Sequence, residues 1–202
     1  MNWKQTLPCL CYLIFIQPSF AVEITMGKDA QSHLPYWQIN NQHMSLRFVQ
    51  RLPDQSRAYF MARGFSKQHA EEIALSCAFQ TIFKNTSTQN NASPLRYSLN
   101  DWIINVNKTK HFLKTREAWA KEWKTKKIKS SAKIAFKWAL LPTDLQYEPG
   151  DYNWGMTFFN LKPGEKFDLI IKWQQSGKNH QTVLHDLQCA PDIHPSPEDF
   201  LN

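Results

Sequence analysis

Glycine is scarce in this sequence, six residues in 202, and none of the six belongs to a phosphate-cradling loop. GxSxG, HExxH, HxH and CxxC do not occur. The strained serine elbow, the zincin helix and the paired-thiol redox centre therefore have no basis in the sequence. Cysteine is also scarce, with four residues at positions 9, 11, 77 and 189. Beyond residue 21 no stretch approaches the roughly 18 apolar residues that a helix needs to cross a bilayer. An enzyme is left only as an assembly of residues distant in sequence, and the weight moves to a binding role.

The first 21 residues have their own logic. Lys4 supplies a positive start, Cys9 to Ile16 an apolar run too short to span a membrane, and Ser19 and Ala21 the small residues of a cleavage site. That order predicts a secretory signal peptide over 1–21 and a mature chain from Val22. No small residue followed by cysteine succeeds the apolar run, so no lipid anchor is expected. The leader favours a bacterial periplasm or secretion. Cys9 and Cys11 leave with it, and the remaining pair, Cys77 and Cys189, predicts a disulfide in an oxidising compartment. Sequons at Asn85, Asn91 and Asn107 would matter only in a eukaryotic source.

Charge is concentrated. The chain carries a net +7, which falls to +6 without Lys4. Between Lys108 and Lys129 lie nine basic residues, Lys108, Lys110, Lys114, Arg116, Lys121, Lys124, Lys126, Lys127 and Lys129, against Glu117 and Glu122. That segment holds the whole excess and the remainder is close to neutral. A local patch of this kind suggests an anionic partner, where a diffuse excess would suggest only solubility.

Periodicity predicts a strand over Met44–Val49, a helix from Pro53 ended at Gly64, and a second helix capped by Ser66 that runs to Phe83 with Cys77 on one apolar face. Leu95–Leu99 and Trp102–Val106 read as a hairpin turned at Asn100-Asp101. A basic helix is expected near 110–127, with Thr115 as its cap and Phe112, Trp119 and Trp123 on one stripe. Ile134, Phe136, Trp138 and Leu140 alternate with smaller or polar residues and read as a strand. Further strands follow over 156–161, 167–173 and the run ending at Cys189, joined by Pro163-Gly164 and Ser176-Gly177. The prediction is one α+β domain over 22–189: an antiparallel β-sheet or small β-sandwich, built mainly from residues 131–189, packed with two to three helices from the N-terminal half. Residues 190–202 read as a flexible, acidic and proline-rich tail. The strand–PG–strand pattern is similar to many secreted β-sandwich modules, a likeness that carries no function.

Candidate sites follow from charge and aromatics. The binding set is Lys108, Lys110, Lys114, Lys121, Lys124, Lys126 and Lys127 with Trp119, Trp123 and Trp154. The bland alternative packs Trp119 and Trp123 on the core and leaves the lysines solvated. The loop Asp151-Tyr152-Asn153-Trp154 after Pro149-Gly150 reads as a sheet corner before it reads as a site. The expected role is an exported, non-catalytic accessory or binding protein that engages an anionic envelope component, an envelope surface or an acidic protein. Nucleic acid is an unsuitable ligand for an exported chain. Peripheral membrane contact fits lysine beside tryptophan. One alternative is a small periplasmic hydrolase whose carboxylates, among Asp101, Asp144, Asp151 and Asp168, or a Cys/His pair, meet only in the fold. Another is copper handling by methionine and histidine. Neither a metal site nor a cofactor is expected.

Overall fold

The computed structural model describes residues 22–88 and 94–193. The predicted leader over 1–21, the sequon at Asn91 and the tail from His194 onward lie outside the described residues. The chain runs β1 (Glu23–Lys28), β2 (Pro35–Asn40), β3 (Met44–Gln50), α1 (Pro53–Met61), α2 (Lys67–Ala74), β4 (Ala78–Asn85), β5 (Leu95–Ser98), β6 (Ile103–Val106) and β7 (Thr109–Phe112). It continues through α3 (Arg116–Glu122), α4 (Ser130–Ala139), β8 (Asp144–Tyr147), β9 (Tyr152–Phe158), β10 (Lys166–Gln175) and β11 (Lys178–Gln188).

Two antiparallel sheets result. The first has the order β1-β2-β3-β4-β9, and the second the order β7-β6-β10-β5-β8 with β11 on the other flank of β10. Their facing sides share one core. In β3, Met44, Leu46 and Phe48 point inward while Ser45, Arg47 and Val49 stay half-buried, the period of two expected of a strand with one wet side. They meet Trp102, Ile104, Leu169, Ile171 and Trp173 of the second sheet. Inside this core Thr81 Oγ1 and Thr157 Oγ1 lie 2.7 Å apart, and Gln50 Nε2 donates to the Gln188 carbonyl at 2.8 Å. A second core covers the outer face of the first sheet, where Phe60, Phe65, Ile73, Trp119, Trp123 and Phe136 of the helical layer pack on Ala78, Met156 and Phe158. This is the α+β class that the sequence predicts, although β1 to β7 show that the sheets recruit far more than residues 131–189.

The disulfide is present. Cys77 and Cys189 are bonded, both buried, with Cα atoms 5.2 Å apart. Its surroundings differ from the expectation of a helix tethered to a sheet. α2 stops at Ala74, Cys77 adopts φ 56°, and β4 begins at Ala78. The run Phe79, Thr81, Phe83 has a strand period rich in aromatic and β-branched residues, and it outcompetes helix beyond Leu75. The bridge therefore joins the two sheets at one end. Backbone bonds from Phe159 N–H to Cys77 O and from Cys189 N–H to Glu165 O fix both cysteines.

Three other expectations are corrected. Residues 130–139 form a helix: Ala132, Phe136 and Ala139 bury one face, leaving Ile134 and Trp138 on the other. Alternation over 133–140 fits a strand, but 132, 136 and 139 fit a helical face equally, and the alanines and lysines decide in favour of helix. β5 and β6 do not form a hairpin. A 3-10 turn over Leu99–Asp101 offsets the chain without reversing it, so both strands lie in line beside β10, with Arg96 opposite Gln174 and Ile104 opposite Leu169. The basic helix is short, because Thr109–Phe112 belongs to β7 and only Arg116–Glu122 is α-helical.

The two PG pairs make turns, with φ of 89° at Gly150 and 79° at Gly164, in the region that glycine enters at no steric cost. Gly155 is required for another reason. A Cβ there would lie 2.6 Å from Leu140 C and 2.7 Å from Leu141 Cα, because the chain leaving α4 crosses directly over β9 and bridges Leu140 to Met156.

Candidate functional site

The lysines hang on three different elements. β6 and β7 are joined by Asn107 and Lys108, whose φ values of 48° and 66° are those of the primed turn that suits strand twist. Lys108 thus sits at a hairpin tip and Lys110 on an edge strand, both exposed beside exposed Phe112. Thr115 caps α3, its Oγ1 accepting from Ala118 N–H at 3.4 Å. The third element is the turn and coil after α3, which carries Lys124, Lys126 and Lys127.

α3 turns its tryptophans inward. Trp119 and Trp123 are 1 % and 2 % exposed and pack on Phe136 at 5.4 and 4.6 Å between ring centroids. This takes both off the docking surface. Their indole N–H groups are buried without a hydrogen-bond partner among the described residues. Lys114 pairs with Glu122 and places its ammonium 3.5 Å from the Trp119 ring centroid, a cation–π contact. Lys126 Nζ lies 2.7 Å from Glu72 and 2.9 Å from Glu122, and those two bonds raise its pKa. Burial pushes the Glu122 carboxyl up, but Lys114 and Lys126 more than offset that and hold it below its ordinary value. Arg116 donates through Nη2 to the Leu140 carbonyl at 2.5 Å, and burial lowers its pKa. Lys114, Lys126 and Arg116 are therefore structural cations.

What remains of the binding set for a partner is Lys108, Lys110, Lys121, Lys124 and Lys127, all exposed and, like Lys129 at the end of the segment, without an ion pair or side-chain hydrogen bond among the described residues. Apart from Phe112, the exposed aromatics lie elsewhere. Trp154 and Tyr152 stand on the outer face of β9 at 63 % and 62 % exposure, opposite Ile82 and Lys84 of β4. Trp138 is 78 % exposed on α4, one helical turn after exposed Ile134. Phe136 stacks on Phe158 and Leu140 bridges Met156, so α4 advances along β9 toward Trp154 and carries Trp138 in its last turns. Trp138 is the residue that sequence reasoning missed. The signal was its spacing from Ile134, readable only once the segment is known to be helical.

The catalytic candidates scatter. Cys77 is bonded to Cys189 and has no thiol to offer. Asp151 Oδ2 accepts from Glu148 N–H within its own turn, and Asp168 lies 3.2 Å from exposed His185. Asp101 and Asp144 both line one cavity of about 680 Å³ over the second sheet. Asp144 is held there by Arg96 Nη2, 3.2 Å from each oxygen. Ser130 and Lys133 have the SxxK spacing of acyl-transfer serines, but Lys133 Nζ donates to the Trp123 carbonyl at 2.9 Å. A second cavity of about 400 Å³ lies beside Gly64, Ser66, His69, Lys127 and Lys129.

Among the described residues no three His, Cys, Asp or Glu side chains gather into a metal-holding group. His43 is buried with Nδ1 2.9 Å from Ser87 Oγ, and burial lowers its pKa. No helix among the described residues is long and apolar enough to cross a membrane. Compared with protein-family models, curated proteins and solved structures, the chain gives no significant match in any of the three.

Proposed function

We propose that this protein is an exported, non-catalytic accessory protein that docks on an anionic envelope surface through its lysines. One observation carries the reading: five lysines of a single segment, Lys108, Lys110, Lys121, Lys124 and Lys127, are exposed and unpaired among the described residues. Two acids are the only countercharges within that segment, and Glu122 is already engaged by Lys114 and Lys126 while Glu117 accepts from Thr143 Oγ1 at 2.6 Å. The cluster thus keeps its field for a partner. Apolar contact comes from Trp154, and from Trp138 in place of buried Trp119 and Trp123. Tryptophan, tyrosine and lysine together suit the interfacial zone of a bilayer. Export is supported by the pattern of residues 1–21 and by the buried Cys77–Cys189 bridge.

The test is co-sedimentation with anionic phosphatidylglycerol vesicles at low and high salt. Retention is expected at low salt and should fade as screening shortens the Debye length. A lysine near such a surface contributes about 1 kcal/mol. The triple reversal Lys121→Glu, Lys124→Glu, Lys127→Glu is then expected to weaken retention on the order of 100-fold or more. Unchanged retention of that variant would refute the proposal. The hydrolase alternative has one observation in its favour, the shared cavity of Asp101 and Asp144, and turnover lost in Asp101→Asn would establish it instead.

A further inference from the structure

The second sheet has a breach. β5 pairs with β10 only at Leu95 and Arg96, and β6 pairs with it only over Ile103 to Asn105. The intervening 3-10 turn leaves Ile171 to Trp173 of β10 without a strand partner on that side. Trp102 fills part of the gap, its indole N–H donating to the Lys172 carbonyl at 3.0 Å. The cavity of about 680 Å³ opens over the rest, within the size range of small-molecule sites.

Its lining discriminates between ligand classes. Arg96 and Lys172 face Asp101 and Asp144, two charges of each sign, so the site has no net charge with which to select an anion or a cation. Gln174 and Gln181 add amide groups that both donate and accept, which argues against an apolar ligand. Two large aromatic groups line it: Tyr97, whose hydroxyl donates to the Pro142 carbonyl at 2.9 Å, and Trp173, 4 % exposed, whose indole N–H is buried with no hydrogen-bond partner among the described residues. His180 stacks on Trp173 with centroids 5.5 Å apart and planes 15° from parallel, and its exposed ring offers a flat platform at the cavity edge.

From these features we infer that the cavity binds a neutral polyhydroxylated ligand, a short oligosaccharide. Hydroxyls satisfy mixed donors and acceptors without bringing charge, and the apolar face of a sugar ring suits the His180 plane. The site is separate from the lysine cluster, and its ligand is independent of the docking reading.

The experiment titrates the protein with maltotriose, cellotriose and triacetylchitotriose, observing its indole and histidine signals by NMR. Inorganic phosphate serves as the anionic probe. At least one trisaccharide is expected to bind with a dissociation constant of about a millimolar or tighter and to move the Trp173 indole and His180 ring signals. Asp101→Asn and Gln181→Ala lie on exposed side chains and should leave the fold intact. Each is expected to weaken that binding about tenfold, the cost of one lost hydrogen bond. No saturable response to any trisaccharide at about 10 mM, binding unaffected by both variants, or a response at these signals to phosphate alone would overturn the inference.

Discussion

The two hydrophobic cores share the first sheet but are secured by different means. Between the sheets, the Cys77–Cys189 bridge and the Gln50 bond to the Gln188 carbonyl lock opposite faces together. Beneath the helices there is no covalent tie. Phe136 touches Phe60, Phe65, Trp119, Trp123 and Phe158 with centroids 4.6–6.0 Å apart, and two indole N–H groups there go unanswered. The first core is tied across its layers by a covalent bridge; the second rests on aromatic fit, with the Lys126 ion pairs and the Arg116 bond to Leu140 at its rim. The exposed aromatics Trp138 and Trp154 lie on the side of the second, where surface is least committed to holding the fold together.

That contrast can be broken from either side. The largest effect is expected from the bridge. Closing so long a loop is worth about 4–5 kcal/mol in the chain-entropy model, so the Cys77→Ser, Cys189→Ser double variant should lose stability of that order in urea unfolding. A loss under about 1 kcal/mol would mean that the polar contacts between the sheets suffice without it. Next comes Phe136→Ala, which empties the centre of the helical layer and should cost about 3–5 kcal/mol. With the bridge intact, far-ultraviolet dichroism should then report helix loss before the sandwich melts. One coincident transition would show that the cores are a single cooperative unit. The smallest of the three is Gly155→Ala, at the seam where Leu140 belongs to one core and Leu141 to the other. Its Cβ would collide with the crossing backbone at Leu140 and Leu141, a strain of about 1–3 kcal/mol that thermal unfolding would register.

The same seam marks the limit of what the sequence made legible. The α+β class, the disulfide, the strand at Met44, the first helix with Gly64 after it and the Ser176-Gly177 hairpin were all readable, because each rests on local pattern or on cysteine arithmetic. The helix over 130–139 was not, since its apolar residues satisfy periods of two and of 3.6 at once, and the helix preference of its alanines and lysines is outweighed in the pattern by that alternation. The same ambiguity hid Trp138 as a surface residue. Asn100-Asp101 looked like a hairpin turn, but pairing to a strand some 70 residues away decided the path. The actual hairpin at Asn107-Lys108 lacks glycine in its turn and gave little warning. For the site, the lysines were legible as a cluster; which of them are consumed by Glu72 and Glu122 was not, because Glu72 comes from α2.

The bridge has a consequence for the order of assembly. Its two sulfurs are separated by 112 residues, and the later one follows β11, the last described strand. A ribosome or translocon delivers the amino end first, so Cys77 must wait, exposed to mispairing or chaperone capture, until the 112 residues up to Cys189 have emerged. β4 likewise waits for β9. Closure therefore comes late, and a truncation that removes Cys189 leaves a chain with every described helix and no clasp.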